Sequence, residues 1–191
     1  MMPTYKPAEF VPSKAKGSLV WDKQNKKYID FASGIAVSSL GHCHPKVVEA
    51  IQKQTKNYLH VMVYGEYVQK SSVDLCKKLA SFLPKSLEVT FLTNSGTEAI
   101  EGAMKLAKRA TGRSEIIYCK NSYHGSTQGS LSIMGNEEHK TAFRPLLPNC
   151  KEIIYNDIKS LKKITNKTAA VVIEPVQGAS GFITPHNEFL E

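Results

Sequence analysis

Three short runs gather the hydroxyl, imidazole, carboxylate and glycine groups that small-molecule chemistry needs. Thr93-Asn94-Ser95-Gly96-Thr97-Glu98 passes from an apolar stretch straight into a helical pattern. A helix opening there presents free backbone N–H groups, two hydroxyls and the positive end of a helix dipole at one point, which suits a phosphate. Ser95 with Glu98 three residues on is equally a capping box, stabilising any helix by about 0.5–2 kcal/mol, and the local residues leave both readings open. Asn121-Ser122-Tyr123-His124-Gly125-Ser126-Thr127 sets an aromatic beside an imidazole and a glycine that admits close approach. Such a ring can stack on a flat heteroaromatic, or Tyr123 can pack in a core while His124 caps the next helix. In Glu174-Pro175-Val176-Gln177-Gly178-Ala179-Ser180-Gly181 a carboxylate directly follows an apolar strand pattern, where it either meets a ligand or buttresses loops.

Other runs argue against rival chemistries. Gly41-His42-Cys43-His44-Pro45 carries metal-ligand types, but no second cluster completes a ligand set, and glycine and proline read more simply as a turn entering a helix. No Gly-x-x-x-x-Gly-Lys-Ser/Thr loop is present, which argues against a P-loop nucleotide site. Cys43, Cys76, Cys119 and Cys150 are widely spaced with no C-x-x-C pair, as expected of reduced thiols in a cytoplasm.

The elements that must position these runs follow from periodicity. Leu19–Asp22 and Lys27–Phe31 flank a polar stretch and read as a hairpin, and Pro45 opens a helix to about Tyr58. A further helix carries Val68, Leu75, Cys76, Leu79, Phe82 and Leu83 and stops at Pro84. Beyond it strands and helices alternate: strands at Glu88–Thr93, Glu115–Cys119, Glu152–Tyr155 and Ala169–Ile173, and helices at Thr97–Ala110, Gly125–Met134 and Ile158–Ile164. Continuous apolar strands joined by crossovers imply an α/β fold with a mainly parallel sheet covered by helices on both faces. Ligands of such sheets bind beyond the carboxyl ends of the strands, where the three runs fall.

The 191 residues suffice for a sizeable core, and 41% hydrophobic with 22% charged residues describes a soluble globular protein. No apolar run approaches the ~18–20 residues of a membrane span, and the N-terminus lacks a hydrophobic signal core, so no membrane partner is expected. The charge of +8 is scattered and seldom interleaved with aromatics, which argues for a surface attracting small anions and against nucleic acid.

Taken together, these segments resemble the class III aminotransferases, pyridoxal-phosphate (PLP) enzymes of fold type I. The resemblance rests on Gly17–Asp22, Tyr28–Val37, Gly41-His42-Cys43-His44-Pro45, Asn94–Ala99, Ser122-Tyr123-His124-Gly125 and Glu174–Gly178, in the family's order and spacing across nearly the whole chain. The opening from Pro3 to Asp22 is similar to acetylornithine aminotransferases. The resemblance implies that residues 1–45 belong to a small domain and 46–191 to the first part of the large PLP-binding domain. It implies that Ser95, Gly96 and Thr97 hold the cofactor phosphate, that Tyr123, with His124 beside it, stacks on the pyridine ring, and that Glu174 supports the site beneath. Tyr64 and Ser126 would contact substrate, in a site built from two subunits of a homodimer. It also implies that this is an N-terminal half, because the family's Schiff-base lysine and the aspartate that pairs with the pyridine nitrogen fall beyond residue 191; no lysine of this chain is assigned that role.

Two positions depart from relatives acting on acetylornithine or 4-aminobutyrate. Those usually carry an arginine directly after His-Gly, to grip a carboxylate in bidentate fashion, where this chain has Ser126, and a glutamate where it has Ala179. The expected reaction is therefore amino transfer from another amine or amino acid, such as a monoamine or a β- or ω-amino acid, to a keto acid. The alternatives are aminomutase, racemase, decarboxylase or lyase chemistry on the same scaffold, or a non-catalytic fragment serving as a binding or dimerisation module.

Overall fold

A computed structural model describes residues 6, 8–62 and 65–190, and the chain divides into two compact units, Met1–Asp74 and Leu75–Glu191. In the first unit β1 (Pro12–Lys16), β2 (Leu19–Asp22) and β3 (Lys27–Ile29) form an antiparallel sheet in that order. The expected hairpin is β2–β3, with Val20 opposite Tyr28. Its turn is held by Asp22, whose Oδ1 accepts from Gln24 N and Lys26 N at 2.9 Å each and whose Oδ2 accepts from the Tyr28 hydroxyl at 2.8 Å. Strand β1 was not foreseen, because Lys14 and Lys16 give this edge strand a polar pattern without apolar alternation.

After β3 the chain makes a tight turn, α1 (Ser33–Ala36), in which Ile35 at φ 60° and Ala36 at φ 62° occupy left-handed backbone. That region is costly for a β-branched residue. Asp30 anchors the turn, accepting from Ser33 N at 2.8 Å through Oδ1 while Oδ2 meets His42 Nε2 at 2.6 Å. The hydrogen bond from His42, then that from Ser33, holds the Asp30 carboxyl below its ordinary value. Helix α2 (Pro45–Asn57) begins at the proline foreseen for it, and α3 (Lys70–Ala80) spans the division between the units.

The second unit is built on β4 (Glu115–Cys119), flanked in parallel by β5 (Cys150–Ile153) and β6 (Thr168–Val172), so the strand order is β5–β4–β6. All five residues of β4 are buried. Its odd residues Ile117 and Cys119 pack with Ile153, Tyr155 and Phe189, and its even residues Ile116 and Tyr118 pack with Met104 and Ile133, two clusters divided by the alternation of the strand. Met104 comes from α4 (Gly96–Thr111), which Ser95 caps and Gly112 ends in left-handed backbone at φ 66°. Lys140 is buried in this unit: its ammonium donates to the Tyr118 hydroxyl at 3.1 Å and to Met134 O at 3.0 Å, and lies 3.3 Å from Glu137 Oε1.

One expected strand does not form. Glu88–Thr93 has no regular secondary structure and joins no ladder among the described residues, and Val89 and Phe91 are largely exposed. An apolar run becomes a strand only when a neighbour satisfies its backbone N–H and C=O groups, and no strand pairs with it among the described residues. The expected helix over Gly125–Met134 shrinks to α5 (Gln128–Ser132), and Ile158–Lys163 is a 3₁₀ turn rather than an α-helix.

Candidate active site

The loop that leaves β4 meets the first turn of α4 at the carboxyl end of the parallel sheet, and the loop that leaves β6 is fastened to the loop after β4. Ser95, extended at φ −154°, caps α4 by accepting from Glu98 N at 3.3 Å, while its hydroxyl donates to Glu98 Oε2 at 2.9 Å. Glu98 Oε2 also accepts from Asn94 N at 3.0 Å, so the glutamate closes the box one residue earlier than the usual pattern. Helix geometry leaves the N–H groups of Gly96 and Thr97 without intrahelical acceptors. A Cβ added at Gly96 would meet nothing within 4 Å, so this turn faces open space.

Gly125 brings the second run against that turn. Its φ of +119° is closed to ordinary side chains, and a Cβ there would fall 2.6 Å from Thr97 Cβ. This approach is the central fact of the site's geometry: it joins the Tyr123-His124-Gly125-Ser126 loop to the helix N-terminus, two segments remote in sequence. Tyr123 is half-exposed, and its N–H donates to Glu174 Oε2 at 3.1 Å. Glu174 Oε1 accepts from Gly178 N at 3.3 Å, so this one carboxylate ties the loop after β4 to the loop after β6. Gln177, almost wholly buried, donates to Lys120 O at 2.8 Å, and Ser180 donates to Asn121 O at 2.6 Å, fastening the same two loops again.

His124 is buried and its Nε2 has no hydrogen-bond partner among the described residues. Burial pushes its pKa below 6.5, the nearby Glu174 charge opposing, so the ring is neutral at neutral pH. The imidazole caps no helix; Thr127 occupies the N-cap of α5. Ser126 sits on the exposed loop following Gly125, and Tyr64 lies outside the described residues. Ser95, Gly96, Thr97, Tyr123, His124, Ser126 and Glu174 thus all belong to the second unit, with Thr97 and Gly125 in near contact and Tyr123 and Glu174 hydrogen-bonded. His42 is engaged by Asp30, and no group of three or more His, Cys, Asp or Glu is arranged to hold a metal among the described residues.

Sequence reasoning missed a cluster beneath this turn. Thr97 Oγ1 lies 2.7 Å from Thr127 Oγ1 and 2.6 Å from Ser130 Oγ, and Glu101 Oε1 accepts from Thr127 Oγ1, Gly129 N and Ser130 N at 2.5, 2.8 and 3.0 Å. The available signal was local: Glu101 stands one helical turn after Thr97, on the same face.

The whole chain, residues 1–191, matches the family described as Aminotransferase class-III. The chain belongs to that family. It is 39% identical to the acetylornithine aminotransferase of Clostridium acetobutylicum and 40% identical to that of Pseudomonas putida, alignments covering all of this chain and 50% and 48% of those proteins. The chain thus spans about half the length of the curated relatives it matches. Among solved structures it superposes on the ornithine aminotransferase of Toxoplasma gondii, crystallised with partial occupancy of PLP at its active site, with a TM-score of 0.87 and 30% identity over 99% of this chain and 46% of that one. The α/β architecture with its parallel sheet is that of the fold type I transferases, as the resemblance implied.

Proposed function

We propose that the protein containing this chain is a PLP-dependent aminotransferase that moves an amino group from an amine or amino acid to a keto acid. One observation carries the reading: Gly125 brings the loop that carries Tyr123 into near contact with Thr97, at a phosphate-competent helix N-terminus. The residues present fit the cofactor. The open space before Gly96, the N–H groups of Gly96 and Thr97, and the unmet His124 Nε2 are features that a phosphorylated heteroaromatic satisfies.

When bound, PLP supplies a conjugated pyridine ring that withdraws electrons from the carbon bearing the amine. The chain's own residues bind and orient. Ser95, Gly96 and Thr97 hold the phosphate at the positive end of α4, and Tyr123 packs its ring on the pyridine face. Glu174 fixes the Tyr123 backbone and so the height of that ring. His124 stays neutral beside it. Tyr64 and Ser126 contact the substrate. With Ser126 in place of arginine and Ala179 in place of glutamate, the favoured donor lacks the second carboxylate such an arginine would grip, and a monoamine or a β- or ω-amino acid fits best. The catalytic lysine is assigned to none of the positions in residues 1–191. The working form in this reading is a homodimer with shared sites, with residues 1–45 in its small domain and 46–191 in its large one, acting in the cytoplasm.

Replacing Gly96 with valine or Thr97 with leucine in the full-length protein should weaken PLP binding at least tenfold, read as quenching of intrinsic fluorescence on titration. Unchanged affinity would overturn the phosphate assignment. Product analysis tests the reaction: a keto product together with a new amino product is expected, and a single isomerised or decarboxylated product would exclude amino transfer.

A further inference from the structure

We infer that the segment from Asp30 to His42 is a latched turn with two conformations. The Asp30 carboxylate, gripping the Ser33 N–H and the His42 imidazole, holds α1 in left-handed form, and loss of that grip lets the turn relax. His42 thereby sets how Ile35 is presented. The device lies wholly within the first unit and does not depend on the proposed cofactor site.

Strain supplies the drive to relax. Four consecutive residues, Ser33 at φ 40°, Gly34 at 63°, Ile35 at 60° and Ala36 at 62°, occupy left-handed backbone. Only the glycine is at ease there, because a Cβ crowds the following carbonyl oxygen, and a β-branched side chain does so most. Residues with a Cβ visit this region singly, so a whole turn of it is a larger outlier than any one angle. Its internal bonds, Ile35 N to Ala32 O at 2.7 Å and Val37 N and Ser38 N to Ser33 O at 2.9 Å each, are those of one isolated turn, too few to hold a helix in water. Burial adds nothing within this unit: no residue of the turn is buried, and Ile35 is 92% exposed.

What opposes the strain is Asp30. As an ionised carboxylate it only accepts, and its two oxygens take one donor each, Ser33 N at 2.8 Å and His42 Nε2 at 2.6 Å. Among the described residues it supplies the only side-chain hydrogen bond into the turn. The flanks are fixed separately, by main chain. Asp30 N donates to Ser18 O at 2.8 Å, while Gly17 and His42 exchange N–H···O bonds of 2.9 Å in both directions. Gly41 permits that approach, since a Cβ there would fall 2.9 Å from Gly17 Cα. Both ends of the segment are therefore pinned to neighbouring residues of one strand edge, and loss of the carboxylate's grip frees the stretch between them. The balance between latched and relaxed forms is set by backbone strain on one side and two charge-assisted hydrogen bonds on the other.

The test is amide hydrogen exchange of the full-length protein, read by mass spectrometry in peptides spanning 31–40, with peptides from β2–β3 and β4 as references. Glycine ordinarily loosens a loop. Here Ala36→Gly removes one methyl from an exposed left-handed position and should slow exchange of 31–40 about threefold, and Ala36→Asn, which tolerates this backbone without glycine's freedom, should shift it the same way. Asp30→Ala should speed exchange there about tenfold while the references stay within about twofold. His42→Phe, which keeps a ring but loses the donor, should speed it about threefold. Adding Ala36→Gly to Asp30→Ala should recover about threefold, because strain drives the release. Faster exchange in Ala36→Gly would overturn the inference, and that arm decides even if the Asp30 variant does not fold. Asp30→Ala or His42→Phe at the wild-type rate, or an acceleration spread evenly over β2–β3, would overturn it as well.

Discussion

Strand β4 and the segment Glu88–Thr93 read alike as sequence, each a short apolar run bounded by polar residues, yet they end in opposite environments. β4 is paired on both edges and buried along its whole length; the other is irregular and unladdered among the described residues, with Val89 94% and Phe91 80% exposed. The segment also lines an open apolar groove along α4, with Phe91 and Leu92 facing Ala99, Gly102 and Leu106. The contrast teaches that an apolar pattern alone does not make a strand, and that neighbours decide whether such a run is paired and buried. Burial of the side chain and pairing of the backbone arrive together at β4 and are both missing at 88–93.

The comparison can be broken by substitution. The largest loss is expected from Ile117→Ala, which empties a fully buried position in the β4 core and should lower unfolding free energy by about 2–5 kcal/mol in urea denaturation. Next comes Gly135→Ala: its Cβ would fall 2.5 Å from Cys119 O at the exit of β4, where only backbone can give way, at a cost of about 1–3 kcal/mol. A smaller effect concerns pH. The His124 pKa is lowered in the folded protein, so the stability that the neutral ring contributes is present above pH 6.5 and is lost as pH falls through the lowered folded value. Denaturation midpoints without added cofactor should therefore drop between pH 7.5 and 5 more steeply for wild type than for His124→Gln; equal slopes would remove His124 from the account. The smallest effect is expected of Phe91→Ala in the 191-residue chain, within about 0.5 kcal/mol, and a loss above about 2 kcal/mol would show that the segment is covered.

What was legible in the sequence follows the same division. Glu115–Cys119 was legible to the residue, because the apolar run Ile116–Cys119 is bounded closely by Ser114 and Glu115 before it and Lys120 and Asn121 after it. The third expected strand was displaced by two residues, since Ile153, Ile154 and Tyr155 carry the apolar signal while the ladder runs over Cys150–Ile153. Gly112 as the stop of α4 and Ser95 as its cap were legible because capping is chemistry between near neighbours. The link between Gly125 and Thr97 was not, since nothing in either run specifies the other. Glu101 was missed for a related reason: in sequence it is one more charged residue of an amphipathic helix, and its three donors lie 26 to 29 positions away.

The burial of Lys140 gives the fold an internal clock. Its side chain is only 4% exposed and its ammonium is held by Tyr118, Met134 and Glu137. An amine-selective acylating reagent will label the surface lysines at once but must wait at this position for the β4 neighbourhood to open. Where reclosing outruns acylation, the labelling rate at Lys140 reports the equilibrium population of the opened form of that part of the molecule, read peptide by peptide in a mass spectrometer with no engineered probe.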